Sequence, residues 1–331
     1  MTALLKVVPG SFSHSGKKDY INVVRSSEPK FDVLFTDFIH ETVRRKARRR
    51  SKSFVNNYNS LLKLLDAFCR QNDCVLFTNS INEEFMDDFI TFMEDREHRP
   101  NYISSMVGII KTTIGDAGKY GYAIDPTYND VVYNPDDDNN AIYLSMNDIT
   151  RIYYFDRLTK FQAKVRDLFV IGCLTAMRYS DYSTLTIDNI KGDFIDKITQ
   201  KTGKRVIVPL HDYIKEILKK YNGKLPGGYS IQYFDRAIKK ICRMIGFTDE
   251  IKYSVTTGRK TKDFVKEEWE MIASHTARRS GATNLYLTKR LHTFEIMQIT
   301  GHTTEKSFFR YIRIKQEDAI KHIAADPIYR K

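Results

Sequence analysis

The sequence predicts a mainly helical protein of the α+β class, with two domains and one small β-hairpin. Apolar residues recur every three or four positions through most of the chain, which is the period of an α-helix. A stretch rich in proline, aspartate and asparagine divides these helices into two groups, as a linker between domains does. The 331 residues provide enough chain for two domains of about 150 residues each.

The first domain is predicted to be a bundle of four amphipathic helices over residues 31–123. The residues before it, 1–30, contain several serines and glycines and a pair of lysines, a composition typical of a tail. The four helices are marked in turn by these apolar faces: Phe31, Leu34, Phe35 and Phe38; Phe54, Tyr58, Leu61, Leu62, Leu65 and Phe68; Phe85, Phe89, Ile90 and Met93; Ile103, Met106, Ile109, Ile110 and Ile114.

The polar stretch predicts a linker at 124–141, followed by a second domain over 142–325 and a short tail at 326–331. Two short strands flank the turn Lys201-Thr202-Gly203-Lys204, in which the glycine favours a hairpin. The predicted strands are 194–199 and 205–209, and the predicted helices are 145–155, 162–173, 211–221, 230–245, 276–290, 293–300, 304–312 and 315–324.

The formal charge of +12 indicates a polyanionic partner, either nucleic acid or an acidic membrane surface. Residues 131–331 carry +11 of this charge and residues 1–130 carry +1. No run approaches the roughly 18 apolar residues of a membrane-spanning helix, so we expect no membrane partner. The four cysteines are scattered and include no Cys-x-x-Cys pair, which argues against a disulfide framework or a zinc cage. A reducing, cytoplasmic environment fits this usage.

The first domain concentrates its positive charge in the run ETVRRKARRRSK at 41–52, which joins the first two predicted helices. Arginine and lysine at such a junction can contact successive phosphates and give affinity without base recognition. A solvated helix end has a similar composition, so the run alone leaves both interpretations open. In a basic, helical protein we favour nucleic-acid binding by its seven cations, Arg44, Arg45, Lys46, Arg48, Arg49, Arg50 and Lys52.

Several polar residues of the second domain stand beside segments that are predicted to be core. Arg178 follows the apolar run LFVIGCLTAM, and a guanidinium in that place is costly unless it has an anionic partner. A structural salt bridge with Asp181 would provide one. His275 and Arg278 are three residues apart and therefore share a helix face, an arrangement that is also common on exposed surfaces.

With His302 and Tyr311, these residues form a series whose order resembles the tyrosine recombinase, or phage integrase, family. Tyr311 follows His302 by nine residues, and its phenylalanine neighbours are otherwise typical of a core. Four segments carry the resemblance: TAMRYSDYSTL resembles the family's arginine box, QKTGKRVIVPL its hairpin with Lys201, SHTARRSGATNLYL its His-x-x-Arg box, and ITGHTTEKSFFRYI its Gly-His…Tyr box.

The resemblance covers residues 140–325. Residues 31–123 resemble the family's helical, SAM-like core-binding domain in pattern and position only. Asp181 stands where members carry an acid three residues after the arginine, and we assign it a supporting role. Arg279 is a departure, because many members have a second histidine there, but this is not one of the family's six catalytic positions.

The resemblance implies a site-specific recombinase or integrase of a phage or mobile element. The tyrosine would attack a DNA phosphodiester, displace the 5′ hydroxyl and leave a 3′-phosphotyrosine, so that rejoining needs no ATP. Two arginines and one histidine would bind the non-bridging oxygens, the lysine would protonate the leaving oxygen, and the other histidine would move the nucleophile's proton. The implied catalytic residues are Tyr311, Arg178, Arg278, His302, Lys201 and His275.

No cofactor or metal is implied, because the arginines supply the positive charge that Mg²⁺ supplies in many phosphoryl-transfer enzymes. The implied partners are double-stranded DNA and a homotetramer on paired recombination sites, since two duplexes must each be cut on both strands. The apolar stripe of the predicted helix 315–324 could equally pack on its own domain, but the resemblance favours docking into a neighbouring protomer. A DNA-bending accessory protein is compatible with this assembly.

Two other functions compete with recombination. A type IB topoisomerase would use related chemistry to relax supercoiled DNA, but the small helical first domain and the chain length favour a recombinase. A non-catalytic DNA-binding accessory protein could share the fold, but all six catalytic positions are filled in this sequence.

Overall fold

The computed structural model describes residues 31–135, 141–314, 320, 324 and 327–329. The chain divides into two compact units: one comprises residues up to Arg96 together with Asn101–Asn134, and the other comprises Glu97–Pro100 together with the chain from Pro135 onward. The predicted tail 1–30, and most of the predicted helix 315–324 and tail 326–331, lie outside the described residues. The prediction of a mainly helical fold with small antiparallel sheets is confirmed.

The four predicted helices of the first unit are present. The Ser51 hydroxyl caps the second helix by accepting from the Phe54 N–H, and the Asn82 side-chain Oδ1 caps the third by accepting from the Phe85 N–H. Phe31 precedes the first helix and is exposed, so its predicted place on a buried face is wrong. The helices are α1 (Phe35–Lys46), α2 (Lys52–Asn72), α3 (Glu83–Asp95) and α4 (Pro100–Lys119).

The first unit extends past residue 123, into the segment predicted as a linker. Val131 is buried against the helical core, and the Lys111 ammonium donates to the Asn129 and Val131 carbonyls. The Thr127 hydroxyl accepts from the Glu83 N–H at the start of α3 (3.2 Å). These bonds explain why the polar residues up to Asn134 pack with the bundle.

The second unit places its helices around an apolar core, to which α6 contributes the consecutive residues Leu168, Phe169, Val170 and Ile171. No helix in the described part of the chain is long and apolar enough to cross a membrane. The helices are α5 (Met146–Tyr154), α6 (Lys160–Thr175), α7 (Tyr179–Tyr182), α8 (Asp212–Lys220), α9 (Ile231–Ile245), α10 (Glu268–Met271), α11 (Ser274–Leu287), α12 (Thr293–Thr300) and α13 (Glu305–Phe309).

Two antiparallel sheets complete the second unit. The first has the order β1 (Ile190–Lys191), β2 (Phe194–Ile198), β3 (Arg205–Pro209), and its β2–β3 hairpin is the predicted one. The second is a hairpin of β4 (Glu250–Thr257) and β5 (Lys260–Glu267), which we did not predict.

Helices α6 and α11 approach each other closely because each carries a glycine at the contact. A Cβ atom on Gly281 would lie 2.4 Å from the Cys173 carbonyl oxygen of α6, and one on Gly172 would lie 3.1 Å from the Ala277 Cβ of α11. Gly281 therefore has a packing role that compensates for its low helix propensity. This contact fixes α11, and with it the His-x-x-Arg segment, against the core.

Candidate active site

Arg178 and Asp181 lie where α6 ends and α7 begins. The chain turns at Ala176, which adopts the left-handed conformation (φ 52°), and Arg178 then occupies the N-cap position of α7. Asp181 is fully buried, and its Oδ1 accepts from the Gln200 N–H at 2.8 Å. No ion pair joins Arg178 to Asp181 among the described side chains, so the salt-bridge interpretation is wrong. One nitrogen of Arg178, Nη1, is buried without a hydrogen-bond partner in the described structure.

Lys201 lies in the β2–β3 turn, with its side chain exposed. The turn is closed by the Gly203 N–H, which donates to the Thr199 carbonyl (2.9 Å), and Gly203 has a positive φ of 65°. Asp181 holds the turn on one side through Gln200. On the other side the Lys204 ammonium donates to the His302 carbonyl at 3.5 Å. Lys201 is therefore presented from an anchored turn.

Arg278 and His302 are both buried and bonded to each other. Arg278 Nη1 donates to the Ala176 carbonyl (2.9 Å) and its Nη2 lies 2.8 Å from His302 Nε2. Because a guanidinium has no acceptor, Nε2 must accept this bond. The Thr300 hydroxyl donates to the Ile296 carbonyl, so it accepts at 2.8 Å from His302 Nδ1. His302 is thus a neutral imidazole with its proton on Nδ1.

Tyr311 follows α13 and lies among these groups. Its ring centroid is 4.7 Å from that of His302 and 5.1 Å from that of His275, and the Arg278 guanidinium carbon lies 5.0 Å from the ring centroid. The structure therefore gathers the nucleophile candidate and three of the predicted residues around one point. Arg178, Asp181 and Lys201 lie on neighbouring segments and act on the same groups through their charges.

Burial, together with the accumulated positive charge, shifts the pKa values of the site. The pKa of His302 is lowered to about 3, first by burial and then by Arg278 and Arg178. The pKa of His275 is lowered to about 4, first by partial removal of the ring from solvent and then by neighbouring cations, of which Arg279 is the strongest. Burial and Arg178 lower the pKa of Arg278 to about 10, which leaves it charged at neutral pH.

The basic run of the first unit divides into two groups. The Arg45 guanidinium lies 4.1 Å above the Tyr120 ring, and Lys46 forms an ion pair with Asp116. These two cations therefore contact other parts of the bundle, at Tyr120 and at Asp116 of α4. Arg44 is paired with Glu41 but remains exposed. The other predicted contacts with nucleic acid point to solvent: Arg48, Arg49, Arg50 and Lys52.

Three residues around the site were not predicted. Thr300 sets the tautomer of His302, Lys204 anchors the hairpin, and Arg279 lies close enough to His275 to lower its pKa. Lys204 shares a turn with Lys201, and Thr300 directly precedes the Gly-His pair, so their positions in the sequence were the available signal. Among the described residues, no group of three His, Cys, Asp or Glu side chains is arranged to hold a metal ion.

Comparisons with known proteins cover both units. Residues 34–133 match the phage integrase SAM-like domain, and residues 143–318 match the phage integrase family. No curated protein matches the sequence significantly.

Solved structures share the fold at low sequence identity. The Tn1549 transposon integrase in complex with circular intermediate DNA has 13% identity and a TM-score of 0.62, covering 88% of this chain and 99% of that one. A lambda integrase dimer bound to a COC′ core site has 15% identity and a TM-score of 0.63 (86% and 96%). A lambda integrase tetramer bound to a Holliday junction has 15% identity and a TM-score of 0.60 (82% and 78%).

The family match to the second unit alone spans more than half of the chain, and it contains every one of the six residues singled out in the sequence. The match to the SAM-like domain accounts for the first unit. The chain therefore belongs to the phage integrase family and is a tyrosine site-specific recombinase.

Proposed function

We propose that Tyr311 cleaves one DNA strand by in-line attack on a phosphodiester. The bond from the tyrosine oxygen to phosphorus forms as the bond from phosphorus to the 5′ oxygen breaks, leaving a 3′-phosphotyrosine and a 5′ hydroxyl. The observation that carries this proposal is the position of the Tyr311 ring, within about 5 Å of His275, His302 and Arg278. Attack by a 5′ hydroxyl on the phosphotyrosine reverses the reaction and rejoins DNA without ATP.

Arg178 and Arg278 stabilise the transition state in this proposal. Negative charge grows on the non-bridging oxygens of the phosphate, and a guanidinium is a planar, permanently charged donor for such oxygens. Arg178 Nη1 and Arg278 Nε are buried and lack partners in the described structure, which supports their use for an anion. Because these two cations take the electrostatic role of a metal ion, we propose a reaction that requires no metal.

Proton transfer is assigned to His275 and Lys201. A lowered pKa keeps His275 neutral at pH 7, so its imidazole can accept the proton of Tyr311. Lys201 is a charged, exposed ammonium on the anchored turn, and it would donate a proton to the departing 5′ oxygen. His302 would be a further donor to the phosphate only after Nε2 gains a proton, because that atom accepts from Arg278 in the present structure.

We further propose that the protein acts as a homotetramer on paired recombination sites in double-stranded DNA, in the cytoplasm. The lambda integrase tetramer on a Holliday junction supports this assembly by analogy of fold. The exposed arginines of the first unit, Arg48, Arg49 and Arg50, would contact phosphates. A DNA-bending accessory protein would be compatible with the same geometry.

A nicked suicide substrate, carrying the end sequence of the element that encodes the protein, tests the cleavage step. The wild-type chain should form a covalent protein–DNA adduct that survives a denaturing gel, and Tyr311→Phe should bind the same DNA without forming it. Tyr286→Phe is the matched control, because Tyr286 is a nearby half-buried tyrosine. An adduct that persists in Tyr311→Phe would show that another residue is the nucleophile.

Strand exchange separates recombination from the two competing functions. Products that join two supplied sites support a recombinase. Relaxation of supercoiled plasmid without exchange would favour the topoisomerase, and DNA binding without any adduct would favour an accessory protein.

A further inference from the structure

Thr283 forms two hydrogen bonds with the backbone on the C-terminal side of Tyr311. Its side chain is fully buried in α11, five residues after Arg278. The hydroxyl donates to the Tyr311 carbonyl at 3.3 Å and accepts from the Arg313 N–H at 3.1 Å. A threonine hydroxyl has one proton and two lone pairs, so it can make both bonds at once.

These bonds occur where the helical chain ends. The Tyr311 N–H still donates to the Phe308 carbonyl (2.8 Å) and the Ile312 N–H to the Phe309 carbonyl (3.2 Å), but the described chain is not helical from Ile312 to Ile314. The Tyr311 carbonyl and the Arg313 N–H would otherwise need water or another partner. Thr283 supplies that partner for both groups.

The nucleophile and two groups that would act on it are therefore held by one helix. His275 and Arg278 project from α11 toward the Tyr311 ring, while Thr283, on the same helix, fixes the Tyr311 backbone. Helix α11 is itself fixed to α6 by the Gly281 contact. Helix α11 therefore carries both the proposed proton acceptor of Tyr311 and a side chain that is bonded to the Tyr311 backbone.

We propose that Thr283 is a positioning residue for Tyr311, in that its hydroxyl keeps the tyrosine in the attacking position. This inference rests on the proposed function of Tyr311. A displacement of about 1 Å in a reacting group can lower a rate about 100-fold, so loss of two fixed points beside the nucleophile should slow cleavage strongly. DNA binding should not change, because the hydroxyl is buried and bonded within the protein.

The first test compares Thr283→Val, which removes the hydroxyl at nearly constant shape, with Thr283→Ser, which retains the hydroxyl. Single-turnover adduct formation on the suicide substrate should be about 10- to 100-fold slower in Thr283→Val, with an unchanged Kd for DNA. Thr283→Ser should recover to within about threefold of the wild-type rate. Thr113→Val is the matched control: it removes a buried hydroxyl that donates to the Ile109 carbonyl in the first unit, and should cleave normally.

The second test requires no DNA chemistry. Trypsin cleavage after Arg313, followed by mass spectrometry, should be about tenfold faster in Thr283→Val than in the wild type or Thr113→Val, because the segment is released. Cleavage of DNA by Thr283→Val at the wild-type rate, or equal trypsin protection in both proteins, would overturn the positioning role. Failure of the wild type to form any adduct would instead overturn the proposed function, and the catalytic part of this inference with it.

Discussion

His302 illustrates how a single buried side chain can link the protonation of the site to its stability. Its imidazole accepts from Arg278 and donates to Thr300, an arrangement that only the neutral ring can make. Protonation would place a positive charge beside Arg278 and replace an acceptor by a donor. Burial and these charges lower its pKa to about 3 in the folded chain, against 6.5 for an ordinary histidine.

This shift predicts a loss of stability in acid. Because the folded pKa is lowered, the unfolded chain binds more protons between pH 3 and 6.5, so stability is complete above pH 6.5 and falls as the pH decreases. From pH 7 to pH 5, His302 should cost the second unit about 2 kcal/mol. Urea unfolding at both values should show this difference, and His302→Gln should reduce it. An equal pH dependence in the variant would contradict the assignment.

The two groups of cations in the basic run predict opposite phenotypes. Arg49→Ala should weaken DNA binding and reduce the slope of log K against log salt by about 1, because one phosphate contact is lost. Arg45→Ala should leave that slope unchanged and lower the melting temperature, because Arg45 lies over the Tyr120 and Phe38 rings. Anisotropy titrations over a salt series and a thermal melt distinguish the two, and the reverse pattern would refute this division.

The sequence predicts which residues belong to the site better than it predicts the distant residues that each of them contacts. The order from Arg178 to Tyr311 was sufficient to select the residues that the fold brings together. The ring stacked under Arg45 lies 75 positions away in the chain, at Tyr120, and no local pattern connects them. The bond between Thr283 and the Tyr311 backbone could not be predicted either, because it depends on how α11 packs against the chain that follows α13.

Among the elements, the crossing of α6 and α11 is the contact most sensitive to an added methyl group. Gly281→Ala places its Cβ 2.4 Å from a backbone carbonyl, so the helices must separate. We expect a destabilisation of about 2 kcal/mol from overpacking, despite the roughly 1 kcal/mol that alanine gains in helix propensity.

Gly108→Ala in α4 is the matched control for this substitution. A Cβ there meets no atom within 4 Å, so alanine should be neutral or stabilising. Chemical denaturation of both variants measures the effect. Equal stability of the two would mean that α6 and α11 have room to move apart without cost.

The β4–β5 hairpin was not predicted because β5 lacks the alternating apolar residues of a half-buried strand. Alternation in a strand is produced by one buried face, and β5 is exposed along nearly its whole length. Its sequence, KTKDFVKE, therefore follows no apolar period. The alternation in β4, where Ile251, Tyr253 and Val255 lie on one face, was present but short. The β2–β3 hairpin, in contrast, buries Val206 and Val208 and was predicted with its turn.

For the whole molecule, the division into two units followed from composition, and the change of unit at Pro135 falls within the predicted linker 124–141. The polar residues up to Asn134 pack on the helical bundle through bonds that a composition count does not show. The distribution of charge along the sequence indicated which unit holds the site, because the second unit carries most of the net charge and contains the cation-rich site.

The complete enzyme should cleave DNA in excess EDTA. In the proposed mechanism, Arg178 and Arg278 provide the positive charge at the phosphate, so chelation should leave the rate of adduct formation unchanged. Arg178→Ala should lower that rate about 100- to 1000-fold, whether or not Mg²⁺ is present. Cleavage that stops on chelation and returns with Mg²⁺ would assign the reaction to a different class.

In the proposed mechanism, the position of Tyr311 has a consequence for timing. The ring lies beside His275, His302 and Arg278, so attack on a correctly placed phosphate would not wait for these groups to gather around the tyrosine. With these groups already in place, their assembly would not be a slow step that protects unrelated DNA from cleavage. Under that mechanism, residence time would contribute to selectivity: a duplex that dissociates before attack would be left whole, and a target that stays bound would be cut.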